Sequence, residues 1–145
     1  MAAGITECLP ALNRGAVFDF YEGALKSMPR ILCISPSDVL LSTRHLLLES
    51  DGHSVESIQQ LSQIHTLHEQ QKFDLAVVGH DFSGTEKRRI AHAINTRFRG
   101  LPILEMCYHS PEIPGADFIL SNSPADLLVA IRDVLAGRRV RGFPG

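Results

Sequence analysis

Glu105 is the side chain least in keeping with its surroundings in this 145-residue sequence. It stands inside an apolar run, residues 101–106, that reads as a buried strand. A carboxylate there is costly unless it is hydrogen-bonded or paired. Alternation puts Ile103, Glu105 and Cys107 on one side of that strand. We favour an acid bonded to nearby backbone or to a helix end. The other reading is an acidic pocket open to a ligand. Cys107 and His109, two residues apart, offer a Cys/His pair for thiol chemistry. No glycine-rich elbow or oxyanion hole accompanies them, so a small core cysteine is the preferred reading. His65 and His68 fall three apart on an expected helix, a two-point metal grip with Glu69 beside it. No third ligand is evident, and a solvated helix face is preferred. Asp81 sits in an expected loop and reads as a solvated carboxylate. Lys87, Arg88, Arg89, Arg97 and Arg99 form one basic cluster, and Arg138, Arg139 and Arg141 another. A solvated face and a solubilising tail are the default for both. Neither GxGxxG nor GxxxxGK[ST] occurs, which weakens dinucleotide and NTPase readings.

The elements that must position these residues alternate along the chain. Short apolar runs at 31–34, 73–78 and 101–106 read as strands covered on both faces. Residues 53–57 read as a weak edge strand, and 116–120 as a fifth strand. Helical spacing predicts helices over 39–50, 58–71, 85–98 and 125–136. In the first, Val39, Leu40, Thr43, Leu46 and Leu47 form the expected apolar stripe. In the third, Ile90, Ala91, Ile94 and Phe98 face inward while Lys87, Arg88 and Arg97 face outward. Strands separated by amphipathic helices make a five-stranded, doubly wound parallel α/β sheet. Its working crevice lies at the carboxyl ends of the strands.

Composition sets the limits. The formal net charge is −2, which argues against a nucleic-acid binder at the level of the whole chain. Three scattered cysteines build no disulfide framework, and a cytoplasmic protein is expected. No apolar run approaches the ~18–20 residues of a membrane span. Residues 1–29 read as an extension, flexible or arising from a mis-assigned start, with Met28 the expected natural start. Residues 30–137 form the expected domain, and 138–145 a frayed basic tail.

The order of these segments resembles the receiver domain of two-component response regulators. The resemblance rests on Arg30-Ile31-Leu32-Cys33-Ile34, Phe73-Asp74-Leu75-Ala76-Val77-Val78 and Leu101-Pro102-Ile103-Leu104. Gly115-Ala116-Asp117 before the fifth strand and Asp126-Leu127-Leu128 in the last helix complete it. It implies a flavodoxin-like sheet of order 2-1-3-4-5. Only residues 108–114, with two prolines, separate Cys107 from Gly115, so the fourth helix of that fold should be shortened or missing.

A working receiver has two acids for Mg²⁺ after strand one, an acceptor aspartate, a hydroxyl and a lysine. The resemblance places those positions on Ser35 and Pro36, Gly79, Cys107 and Asn122. None has the required chemistry, since a carboxylate attacks a phosphoryl group only if metal and lysine offset the charge. The expectation is a degenerate receiver, or pseudo-receiver. It would be a stand-alone phosphorelay module, not an enzyme, without cofactor or metal. Its partner would be a signalling protein or a component of a histidine-kinase pathway. A homodimer is open, and membrane and nucleic-acid partners are not expected. Two alternatives remain at this point. One is a receiver phosphorylated on displaced Asp81. The other is a small α/β ligand-binding protein or enzyme with a pocket at Glu105 and Cys107.

Overall fold

The computed structural model describes residues 28–68 and 70–142. The expectations for residues 1–27 lie outside that range. Five parallel strands form one sheet in the order β2-β1-β3-β4-β5. They are β1 (Arg30–Ile34), β2 (Ser54–Ile58), β3 (Leu75–Val78), β4 (Ile103–Met106) and β5 (Asp117–Ile119). Four helices pack on the two faces: α1 (Asp38–Ser50), α2 (Leu61–Ile64), α3 (Gly84–Arg97) and α4 (Pro124–Leu135). This is the expected doubly wound order. No helix joins β4 to β5.

Strand alternation divides the core in two. Leu32, Ile34, Ala76, Val78 and Ile103 face α2 and α3. Ile31, Cys33, Leu75, Val77, Leu104, Met106 and Ile119 face α1 and α4. Local chemistry starts and stops the helices. Ser37 Oγ accepts from Leu40 N at 3.2 Å to cap α1. Ser83 and Glu86 form a reciprocal capping box on α3. Pro124 opens α4, and Gly137 closes it at φ +85°.

Four expectations are corrected. The helix expected over 58–71 is a single turn, α2. Ile58 stays in the sheet opposite Ile34. Further on, Arg97 Nε donates to Leu67 O at 2.8 Å, taking the carbonyl a continuing helix would give to residue 71. The inward stripe of α1 is Leu41, Arg44 and Leu48, whereas Val39 and Leu46 are 73% and 69% exposed. Lys87, expected outward, is buried with Ile90, Ala91 and Ile94. Finally, residues 138–142 are not frayed. Phe118 N donates to Val140 O at 3.0 Å, and Gly142 N to Phe118 O at 2.9 Å. Asp117 Oδ1 accepts from Val140 N and from Arg139 Nε. The tail thereby covers the outer edge of β5, which would otherwise offer unpaired backbone groups.

Candidate functional site

At the carboxyl end of β1, Ser35 is fully buried. Its N–H donates to Ile58 O at 3.2 Å, and its Oγ accepts from Ser37 N at 3.3 Å. The hydroxyl thus shapes the entry to α1, and Pro36 beside it is exposed. Neither offers a carboxylate to a metal ion. Gly79, at the end of β3, donates its N–H to Ile34 O at 2.8 Å.

The space over Gly79 is filled. A Cβ there would lie 3.0 Å from Arg44 Nη1 and 3.2 Å from both Ile34 O and Ser35 Cβ. Arg44 comes from the inward face of α1 and is only 5% exposed. Its Nη2 is 3.4 Å from His80 Nδ1, and its Nη1 is buried with no hydrogen-bond partner among the described residues. His80 Nε2 stands 3.0 Å from Asp81 Oδ1. Burial, then the charges of Arg44 and Lys87, push the His80 pKa down against the pull of Asp81. A neutral imidazole fits both neighbours: Nδ1 accepts from Arg44, and Nε2–H donates to Asp81. The Tyr108 ring lies edge-on against His80 at 4.5 Å.

Glu105 resolves in favour of the hydrogen-bonded acid. It is wholly buried, and its Oε2 accepts from Lys87 Nζ at 2.9 Å. Both its oxygens accept from Glu112 N, at 3.0 and 2.9 Å, and Oε1 also from Ile113 N at 3.0 Å. Lys87 Nζ further donates to Met106 O at 2.8 Å. The carboxylate therefore pins the β4–β5 connection where a helix would otherwise run. Its acceptor positions are taken by the chain itself, which removes the acid from any pocket there.

Cys107 is buried, and desolvation first, then the Glu105 charge, pushes its thiol up to about 12. That favours the small core cysteine over the reactive-thiol alternative, because a thiolate is what attacks. Asn122 is exposed, in a turn held by Ser121 Oγ, which donates to Asp126 Oδ2 at 2.7 Å. No lysine follows β5; the lysine of this crevice enters from α3 instead. His65 and His68 do not share a helix, since α2 ends at Ile64. His68 Nδ1 accepts from Gln70 N at 3.1 Å.

The crevice so assembled holds Arg44 over Gly79 and His80 against Arg44, with Lys87 close enough for its charge to act on His80; Asp81 is bound to His80 and Glu105 to Lys87. Sequence reasoning found Gly79, Asp81 and Glu105 and missed the three basic groups. The signal was present for two of them. Arg44 lies at helical spacing between Leu41 and Leu48, and Lys87 precedes Ile90, Ala91 and Ile94 at the same spacing.

No family model and no curated protein matches the sequence. Solved structures do match. The chemotaxis response regulator CheY4 of Vibrio cholerae aligns over 74% of this chain and 99% of its own, with TM-score 0.63 and 19% identity. A CheY-like receiver domain protein of Methanospirillum hungatei aligns over 77% and 96%, with TM-score 0.65 and 20% identity. The non-phosphorylated HemR receiver domain of Leptospira biflexa aligns over 74% and 94%, with TM-score 0.61 and 25% identity. The chain has the fold of these receiver domains.

Proposed function

We propose that this chain is a receiver-fold signalling module that takes no phosphoryl group in its crevice and acts by protein–protein contact, in or beside a phosphorelay. The carrying observation is the Arg44 guanidinium over Gly79. A receiver needs that place for an aspartate, with Mg²⁺ and a phosphoryl group beside it. Here a cation stands there, over a residue with no side chain to modify. Two further features support the reading. Glu105 is saturated by Lys87 and two amides, so it is not free to replace the missing metal ligands. Asp81 is turned to His80. On this reading the chain catalyses no reaction of its own and works in the cytoplasm. No helix among the described residues is long and apolar enough to cross a membrane.

The test is incubation of the full chain with acetyl phosphate and Mg²⁺, followed by intact-mass measurement and a phosphate-sensitive gel. Neither the natural chain nor a Gly79→Asp variant should gain a phosphoryl group. Modification of the natural chain that disappears in Asp81→Asn would overturn the proposal and establish Asp81 as acceptor.

A further inference from the structure

The shortening of α2 to one turn leaves the outer flank of α3 without a helical neighbour along much of its length. α3 has 14 residues, about 21 Å of helix. A cavity of about 520 Å³ lies in that flank, bounded by Leu61, His65, Arg88, Arg89, His92 and Ala93 among others. A second, of about 490 Å³, adjoins it through Leu61 and Arg89 and runs toward Phe82 and Pro36. Together they make a trough along α3. Its floor is Leu61, Ala93 and the aliphatic stems of the arginines.

The rim of the main cavity carries Arg88, Arg89, His65 and His92, and no carboxylate among its described lining residues; the second cavity has Glu86, which is engaged as an acceptor from Ser83 N in the cap of α3. Arg88 is engaged, with Nη1 at 2.9 Å from Glu112 Oε1. Arg89 and His92 are exposed and make no ion pair among the described residues. Among the described lining residues of the trough the single Phe or Tyr ring is Phe82, half-buried in the second cavity, which gives no row of rings for successive bases to stack on. An apolar floor with a cationic rim suits a peptide better than a nucleic acid, which binds single strands by stacking as well as charge.

We infer that this trough is a docking site for an acidic amphipathic helix of a partner protein. Apolar residues spaced i, i+3/i+4, i+7 would enter the floor, and flanking Asp or Glu would meet Arg89 and His92. The inference builds on the reading of the chain as an interaction module. The trough reaches the crevice at Pro36, but Arg89 and His92, the residues altered below, take no part in the contacts around Gly79, so the phosphorylation test and the one below fail independently.

The test begins with selection of random 16-residue peptides displayed on phage against the full-length protein. Selected peptides are then synthesised and measured by fluorescence anisotropy. The expected winners pair acidic residues with apolar ones at helical spacing. Their affinity should fall about tenfold in an Arg89→Glu/His92→Glu variant, where like charges meet. It should also weaken as salt rises. Both substitutions are on exposed side chains, and an unchanged melting temperature verifies the fold. Failure to recover peptides overturns the inference, as do neutral or basic winners, or winners indifferent to the double substitution. Tighter binding of a single-stranded oligonucleotide, lost in the same variant, overturns it in favour of nucleic acid. A concentration-dependent dimer lost in that variant overturns it in favour of a second copy of the chain.

Discussion

A Lys87→Met substitution would leave the Glu105 carboxylate wholly buried, with only the amides of Glu112 and Ile113 to hold its charge. Breaking a buried pair from one side costs about 3–5 kcal/mol, because the remaining charge stays desolvated and uncompensated. Whole-domain stability is typically ~5–15 kcal/mol, so the loss would be a large part of the total. In a domain of this size it would lower Tm by roughly 10–20 °C. Glu105→Gln should cost a similar amount. Its amide oxygen could still accept from the two backbone N–H groups, but Lys87 would keep only Met106 O at 2.8 Å. The double variant removes both charges and retains an acceptor for the amides. It should cost about 1–3 kcal/mol, well below the sum of the single losses. Urea denaturation followed by far-ultraviolet circular dichroism at pH 7, on all four proteins, gives the coupling energy directly. Single losses under ~1 kcal/mol, or a double loss equal to the sum within ~0.5 kcal/mol, would refute a desolvated pair.

Other outcomes follow from the same geometry. Arg44→Met should leave stability within about 1 kcal/mol of the natural chain or raise it, since it exchanges a buried guanidinium with an unpartnered Nη1 for an apolar group; a urea midpoint showing a loss above ~2 kcal/mol would contradict this. Gly79→Ala should destabilise by about 1–3 kcal/mol in the same assay, because its Cβ meets Arg44 Nη1 and the Ile34 carbonyl. His80 has a folded pKa held below the ordinary histidine value by burial, then by Arg44 and Lys87, so the unfolded chain binds its proton first as pH falls. Stability from this group is whole above the unfolded value of about 6.5 and is lost as pH drops from there toward the folded pKa. His80→Gln should flatten that slope, and an unaltered slope would place the acid sensitivity elsewhere. Cys107 and Cys33, pushed up to about 12 and about 11 by burial, should resist iodoacetamide at pH 8 in the native chain and react in urea; native labelling of either at the denatured rate, read by peptide mapping, would contradict their burial.

The fold was legible wherever one residue type decides one local outcome. Continuous apolar runs marked β1, β3 and β4, and their order with Gly115-Ala116-Asp117 suggested the sheet. Ser37 and Pro124 start their helices through their own side chains. The shortness of the second helix was not legible, because nothing local to Ile64 announces its end and the segment beyond it is held from 30 residues away, where Arg97 donates to Leu67 O. The docked tail was not legible for the same reason. Asp117 binds residues more than twenty positions later, and nothing local to Arg139 or Val140 announces it.

The candidate site divides along the same line. Glu105 could be seen from its strand alone, because a carboxylate in an apolar run must find partners. Lys87, 18 residues earlier, could not be named as one of them. Lys87 reads as outward from its residue type, because long basic side chains usually reach water. A periodicity that admits Arg44 between Leu41 and Leu48 is also a statement that the arginine points inward. The two buried cations then differ in consequence. Lys87 meets a carboxylate and two of its three donors are used, so its burial explains itself as structure. Arg44 meets only a neutral histidine and the bare backbone of Gly79, which leaves it a net cost to the fold. Locally unfavourable groups of that kind are expected where a protein does its work. The proposal that the crevice takes no phosphoryl group therefore rests on Arg44, which stands over the position that the resemblance gives to the acceptor aspartate.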